Sequence, residues 1–251
     1  MGETSHERLL RVLDLIEESD TPLTTEFLLQ RLGFTRSTLY RYLKLLSDVG
    51  LVTSLPNAGY SLGPRVAELD YRMRVSDPLI AASRPVMAEL VTAVEGIALL
   101  CRRYRDRVLC VHQESRGAAF SSTYERGRAL PLTRGAASRI ILAYLPSRTI
   151  QRLHKEQPKD FTGLGRNFAA VKASLKEIRQ RGWDVTESQL TRGVTGIAAP
   201  ILDERGESLG SLSLTIGRTR VARSEVQTIA ERVGFCAGIV TKALAGTANT
   251  A

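Results

Sequence analysis

Pro22-Leu23-Thr24-Thr25-Glu26-Phe27-Leu28-Leu29-Gln30-Arg31-Leu32-Gly33-Phe34-Thr35-Arg36-Ser37-Thr38-Leu39-Tyr40-Arg41-Tyr42-Leu43-Lys44-Leu45-Leu46-Ser47-Asp48-Val49-Gly50 reads as two helices joined by a tight turn. Thr24 or Thr25 caps the first, whose apolar side is Phe27, Leu28 and Leu32. Gly33 ends it, because glycine enters the left-handed conformation without strain. Thr35 caps the second by accepting a hydrogen bond from a free backbone N–H, and Gly50 closes it. On a helical wheel, Leu45, Thr38, Val49, Tyr42, Leu46, Leu39 and Leu43 share one half. Arg36, Ser47, Tyr40, Lys44, Ser37, Asp48 and Arg41 share the other. One half is suited to packing and the other to a wet partner. Arg36, Arg41 and Lys44, with Ser37 and Tyr40 as further donors, suit phosphates and guanine edges in a DNA major groove. An ordinary basic surface helix would carry the same residue types.

The sequel favours the first reading. Leu51–Leu55 is a strand, Pro56–Gly59 a turn, and Tyr60–Leu62 a return strand. A helix-turn-helix followed by a hairpin is a winged helix. Before it, Leu9, Leu10, Val12, Leu13 and Ile16 give a first helix from about Ser5 to Glu18, broken at Asp20-Thr21-Pro22. After it, Pro64–Val75 forms a linker helix with Val66, Leu69 and Met73 on one side, and Ser76-Asp77-Pro78 punctuates the chain. The expected division is therefore a winged helix over 1–63, a linker helix over 64–77 and a second domain over 78–247.

The second domain mixes helices and strands. Helices are expected over Leu79–Val94 (with Pro85 in its first turns or restarting it), from the loop Arg128–Arg139 to near Pro146, over Ser147–Glu156 and Asn167–Arg181, and after Ser224. Strands are expected over Ile97–Arg103, Val108–Ser115, Phe120–Tyr124, Trp183–Thr186, Val194–Leu202 and Ser208–Ile216. Ser211, Ser213 and Thr215 alternate with Leu212, Leu214 and Ile216, so one face carries hydroxyls. The fold class is α+β: an antiparallel sheet with helices on its faces.

The 251 residues carry a net charge of +9. That suggests an anionic partner, yet residues 1–75 hold nine Lys/Arg against ten Asp/Glu. The excess lies outside the winged helix, so its local pattern carries the nucleic-acid reading. No apolar run of about 20 residues exists, so no membrane span is expected. Met1–His6 lacks a signal peptide's apolar core. Cys101, Cys110 and Cys236 have no ligand spacing, which suits a reducing cytoplasm and implies neither a metal nor a cofactor. His6, His112 and His154 lie in unrelated elements, and no catalytic constellation stands out. An enzymatic second domain tethered by the winged helix, or a protein-binding winged helix, stays open at this point.

Several strings carry a family likeness: Thr35–Arg41, Gly59–Pro64, Gly127–Thr133, Ile178–Trp183 and Gly193–Pro200. Their content, order and spacing resemble the IclR family of bacterial transcriptional regulators over nearly the whole chain. The resemblance implies a GAF-like effector domain and no enzymatic activity. It implies dimers, often paired into tetramers, on a pseudo-palindromic double-stranded DNA operator. DNA contacts would come from Thr35, Arg36, Ser37, Thr38, Tyr40, Arg41 and Lys44, and from Tyr60 in the wing. The effector pocket would be lined by Leu132, Thr133, Ala136 and Ala137. Thr186, Gly196, Ile197, Ser213 and Thr215 would complete it, with Tyr124 near the same cavity. Relatives that bind small keto acids often have an acid at the position of Thr186 and a cysteine at that of Gly196. These departures imply a roomier, less acidic pocket for a larger ligand such as an aromatic or extended carboxylate. The resemblance itself implies an organic or aromatic carboxylate as effector and control of a catabolic operon.

Overall fold

The computed structural model describes residues 3–117, 126–217, 222 and 224–248. Two compact units divide at Val75/Ser76.

The first unit contains α1 (Ser5–Glu17), α2 (Thr25–Leu32), α3 (Arg36–Asp48), β1 (Val52–Leu55), β2 (Gly59–Leu62) and most of α4 (Arg65–Ser76). Thr4 and Glu7 form a reciprocal capping box at the start of α1. Thr24 caps α2 through the Phe27 N–H. Val12, Ile16, Leu28, Leu39, Leu43, Leu46 and Val52 make the core. Tyr42 joins it with an edge-on contact to Phe34 at 5.8 Å, and its hydroxyl meets Ser5 Oγ at 3.0 Å. β1 and β2 pair antiparallel, and Leu23 adds a bridge to Tyr60 through two backbone hydrogen bonds of 2.9 and 2.8 Å. Gly59 makes that approach possible: a Cβ there would stand 2.3 Å from the Leu23 carbonyl oxygen, and its φ is +109°.

Some expected core residues face water. Leu10, Phe27, Leu45 and Val49 are exposed. On α3 the buried set is Leu39, Tyr42, Leu43 and Leu46, spaced i, i+3, i+4 and i+7. That stripe spans about 100° of the wheel, so Leu45 and Val49, on its flank, fall outside.

In the second unit, six strands form one antiparallel sheet in the order β5-β4-β3-β8-β7-β6. They are β3 (Gly96–Tyr104), β4 (Arg107–Arg116), β5 (Ala129–Pro131), β6 (Asp184–Glu187), β7 (Val194–Leu202) and β8 (Ser208–Gly217). The two-residue alternation of strands sorts their side chains. Ala98, Leu100, Leu212, Leu214, Ile197 and Ala199 pack with α5 (Pro78–Ala93) and α9 (Val226–Ala248). Ile97, Leu99, Cys101 and Ala198 pack on the opposite face with α6 (Ala136–Ala143), α7 (Ser147–Glu156) and α8 (Phe168–Arg181). The result is an α+β domain of three layers. α5 runs through Pro85 without a break, the Asp77 side chain capping it at the Leu79 N–H. The short β5 replaces part of the expected loop after Arg128 and pairs with Arg107–Leu109 at the sheet edge. The strand expected at Phe120–Tyr124 lies outside the described residues.

Candidate nucleic-acid interface and ligand pocket

α3 begins in a knot of hydroxyls. Thr35 Oγ1 accepts the Thr38 N–H at 3.3 Å and donates to Thr38 Oγ1 at 2.9 Å, while Ser37 Oγ stands 3.2 Å from it. These three residues hold the helix start; Thr38 is half-buried and Ser37 exposed. Opposite the core stripe, Arg36, Tyr40, Arg41 and Lys44 are exposed. Lys44 pairs with Asp48 at 2.9 Å, an open surface pair of little energetic worth that a phosphate could displace. Arg41 lies over the Tyr42 ring at 5.3 Å, which steadies a long side chain. Tyr60 is half-buried against the winged-helix core, so only part of its ring faces out.

In the second unit, side-chain rows cross the sheet on the α6 side. Ile97, Thr215, Gly196 and Thr186 share one row, and Leu99, Ser213, Ala198 and Asp184 another. α6 is drawn onto this face by polar ties. Ser211 Oγ donates to the Ala137 carbonyl at 3.0 Å, and the Ala136 N–H donates to Thr186 Oγ1 at 3.1 Å. Arg139 Nε approaches Asp184 Oδ2 at 2.9 Å as an ion pair without hydrogen-bond alignment, and Arg181 donates to Asp184 Oδ1 at 3.2 Å. Burial pushes the Asp184 carboxyl above its ordinary range, with Arg139, a Val185 backbone hydrogen bond and Arg181 pulling it back.

A cavity sits where α6 begins, beside Thr186, Gly196, Ser213 and Thr215. Ala136 and Ala137 line it, as expected. Gly135, with φ of +81°, turns the chain so that its own N–H and that of Ala136 point inward to Gln189 and Thr186. Ser213 is 2% exposed and its hydroxyl has no hydrogen-bond partner among the described residues. The lining also includes Gln189, Leu190, Thr191 and Val194, which sequence reasoning missed. Among the described residues, no carboxylate or cation lines it.

Other expected pocket residues stand elsewhere. Ile197 packs on the α5/α9 face, because it neighbours Gly196 and strand alternation turns it the other way. Leu132 belongs to the α6-side core, and Thr133 is buried near it; neither lines the cavity. Tyr124 lies outside the described residues. The expected roominess is also absent. The cavity measures about 30 Å³, room for water rather than for an aromatic acid. Thr186 and Gly196 share its lining with the 189–191 segment.

Residues 73–241 match the family model described as the C-terminal domain of the bacterial transcriptional regulator IclR, and residues 8–61 match a helix-turn-helix domain. The chain belongs to the IclR family. It is a DNA-binding transcriptional regulator of the IclR type. The Pca regulon regulatory protein of Pseudomonas putida is 27% identical, over 89% of this chain and 78% of its own length. An IclR transcriptional regulator from Alicyclobacillus acidocaldarius has the same fold, with a TM-score of 0.78 at 23% identity, covering 97% of this chain and 99% of that one. An IclR homologue from Microbacterium hydrocarbonoxydans, solved with 4-hydroxybenzoate, matches with a TM-score of 0.75 at 21% identity, over 97% of this chain and all of that one. These IclR relatives are transcriptional regulators, not enzymes. Among the described residues of this IclR chain, no helix is long and apolar enough to cross a membrane.

Proposed function

We propose that this regulator reads a pseudo-palindromic operator through the exposed face of α3 and that an organic or aromatic carboxylate, bound beside α6, controls it. The observation that carries the reading is the pairing of two features. Arg36, Tyr40, Arg41 and Lys44 are presented opposite a winged-helix core stripe. A cavity lies at the start of α6 that, among the described residues, no carboxylate lines and in whose wall the buried Ser213 hydroxyl has no partner. The first feature offers cationic forks to guanine edges and phosphates. The second offers backbone N–H groups at a helix N-terminus, where negative charge is favoured. The ligand of the Microbacterium homologue, an aromatic carboxylate, supports the class.

The chain acts as a dimer, with paired dimers forming a tetramer. α4 supports self-association: it has no buried residue, and Leu69, Tyr71, Met73 and Val75 are exposed along it. Two α3 helices then enter successive major grooves, and symmetry multiplies individually modest contacts. The helix over Pro64–Val75 links the units, with the winged helix over 1–63 and the effector domain over 78–247. Ligand binding changes operator affinity only as far as it favours one arrangement of the two winged helices. The target is a catabolic operon. Calorimetric titration with benzoate, 4-hydroxybenzoate, aliphatic acids and neutral sugars tests the ligand class. The acids are expected to bind; binding of neutral sugars alone would sink it.

A further inference from the structure

The start of α6 already carries an acceptor. Gln189 reaches across from the β6–β7 loop, and its Oε1 accepts the Gly135 N–H at 3.0 Å. Thr186 Oγ1 accepts the next N–H, that of Ala136, at 3.1 Å. Two adjacent donors therefore face two oxygens, the pattern a carboxylate would satisfy with its own two oxygens. The loop is held in place from several sides. Arg134 Nη2 donates to the Gln189 carbonyl oxygen at 2.6 Å, which also brings a cation to the same loop. At its base, Ser188 N–H donates to the Val194 carbonyl at 2.8 Å and Gly193 N–H donates to Ser188 Oγ at 3.0 Å. Gln189, Leu190 and Thr191 together form one wall of the cavity of about 30 Å³. Yet Ser213 Oγ remains buried in the wall without a partner among the described residues, a polar group left open to a ligand.

We propose that the Gln189 carboxamide is an internal occupant of the ligand's carboxylate position, and that a carboxylate effector binds by displacing it. This rests on the effector site proposed above and adds how that site is kept closed. A neutral amide oxygen at a helix N-terminus is a weaker partner than a carboxylate, so an acid can replace it where a neutral molecule cannot. Displacement also releases the 189–191 wall, giving the volume an aromatic acid needs and bringing Ser213 within the enlarged site. Apparent affinity is then the affinity of the open pocket reduced by the fraction of molecules that are open.

The test uses the full chain with 4-hydroxybenzoate and benzoate as probes, titrated by calorimetry into wild type, Gln189→Ala and Gln189→Glu, each checked for an unchanged thermal transition. Gln189→Ala removes the occupant and is expected to bind the probes about tenfold more tightly, as for a pocket closed in nine molecules of ten. Gln189→Glu replaces the amide oxygen with a charged one and is expected to bind more weakly than wild type. Weaker binding by Gln189→Ala would make Gln189 a direct ligand contact and overturn the proposal, as would equal affinity in all three chains. If the probes bind none of the three, the effector-site reading itself fails, and this inference with it.

Discussion

Arg41 is the side chain on which the DNA reading is most exposed to a direct test. Its guanidinium rests over Tyr42, and it shares an exposed face with Arg36. If Arg41 reads a guanine, Arg41→Ala weakens operator binding by about 1–3 kcal/mol, with a smaller loss on random DNA. Equal losses on both, measured by fluorescence anisotropy, would assign Arg41 to phosphate instead. Gly59 is the corresponding test of the wing. Its positive φ and the 2.3 Å approach of the Leu23 carbonyl leave no place for a methyl group. Gly59→Ala is expected to cost more than about 1 kcal/mol, read as an earlier urea transition of the winged helix. An unchanged transition would mean that the wing does not depend on the Leu23 bridge.

At the scale of elements, α6 is fixed by a buried ion pair rather than by a capping side chain of its own. Asp184 is 1% exposed and Arg139 13%, and the second cation, Arg181, lies near the surface. Arg139→Ala leaves the Asp184 charge with one partly exposed cation and the Val185 backbone hydrogen bond, and is expected to cost about 3 kcal/mol near neutral pH. The sign of the pH effect follows from the raised carboxyl. The folded chain holds this proton more tightly than the unfolded one, so Asp184's contribution is fullest below the ordinary carboxylate range. It falls as pH rises through the raised value. Without Arg139 that value rises further, so the variant's deficit is expected to shrink as pH falls from 7.5 to 5 in urea unfolding. A deficit that grows on acidification would contradict it.

Most of these elements were legible in sequence. The helix-turn-helix, the wing and the antiparallel hairpins announce themselves through local spacing, caps and turns. The hydroxyl face of β8 was legible too, since Ser213 and Thr215 obey strand alternation. Ile197 was misassigned because adjacency to Gly196 along the chain is not adjacency on a face. Leu45 and Val49 were misassigned because half a helical wheel is wider than the stripe a neighbour covers. Gln189 gave no local signal at all. Its partner is 54 residues away, and only the pairing of β6 with β7 brings the loop to the start of α6.

For the molecule as a whole, the charge distribution constrains how operator recognition works. The winged-helix unit is nearly neutral, nine basic residues against ten acidic over residues 1–75, so general attraction to DNA from that unit is weak. On the proposed reading, specific contacts from the α3 face supply the discrimination, and ligand binding in the second unit acts on the placement of two such faces. The most direct measurement is anisotropy of the full chain on the duplex upstream of its own gene and on a scrambled duplex, at fixed salt, with and without 4-hydroxybenzoate. Binding to the first duplex is expected to be on the order of a thousandfold tighter or more. It is also expected to shift on adding the acid and to lose its preference in the combined Arg36→Ala, Arg41→Ala chain. Equal affinity for the two duplexes, or a preference untouched by removing both arginines, would contradict the assignment of the α3 face as the reading edge.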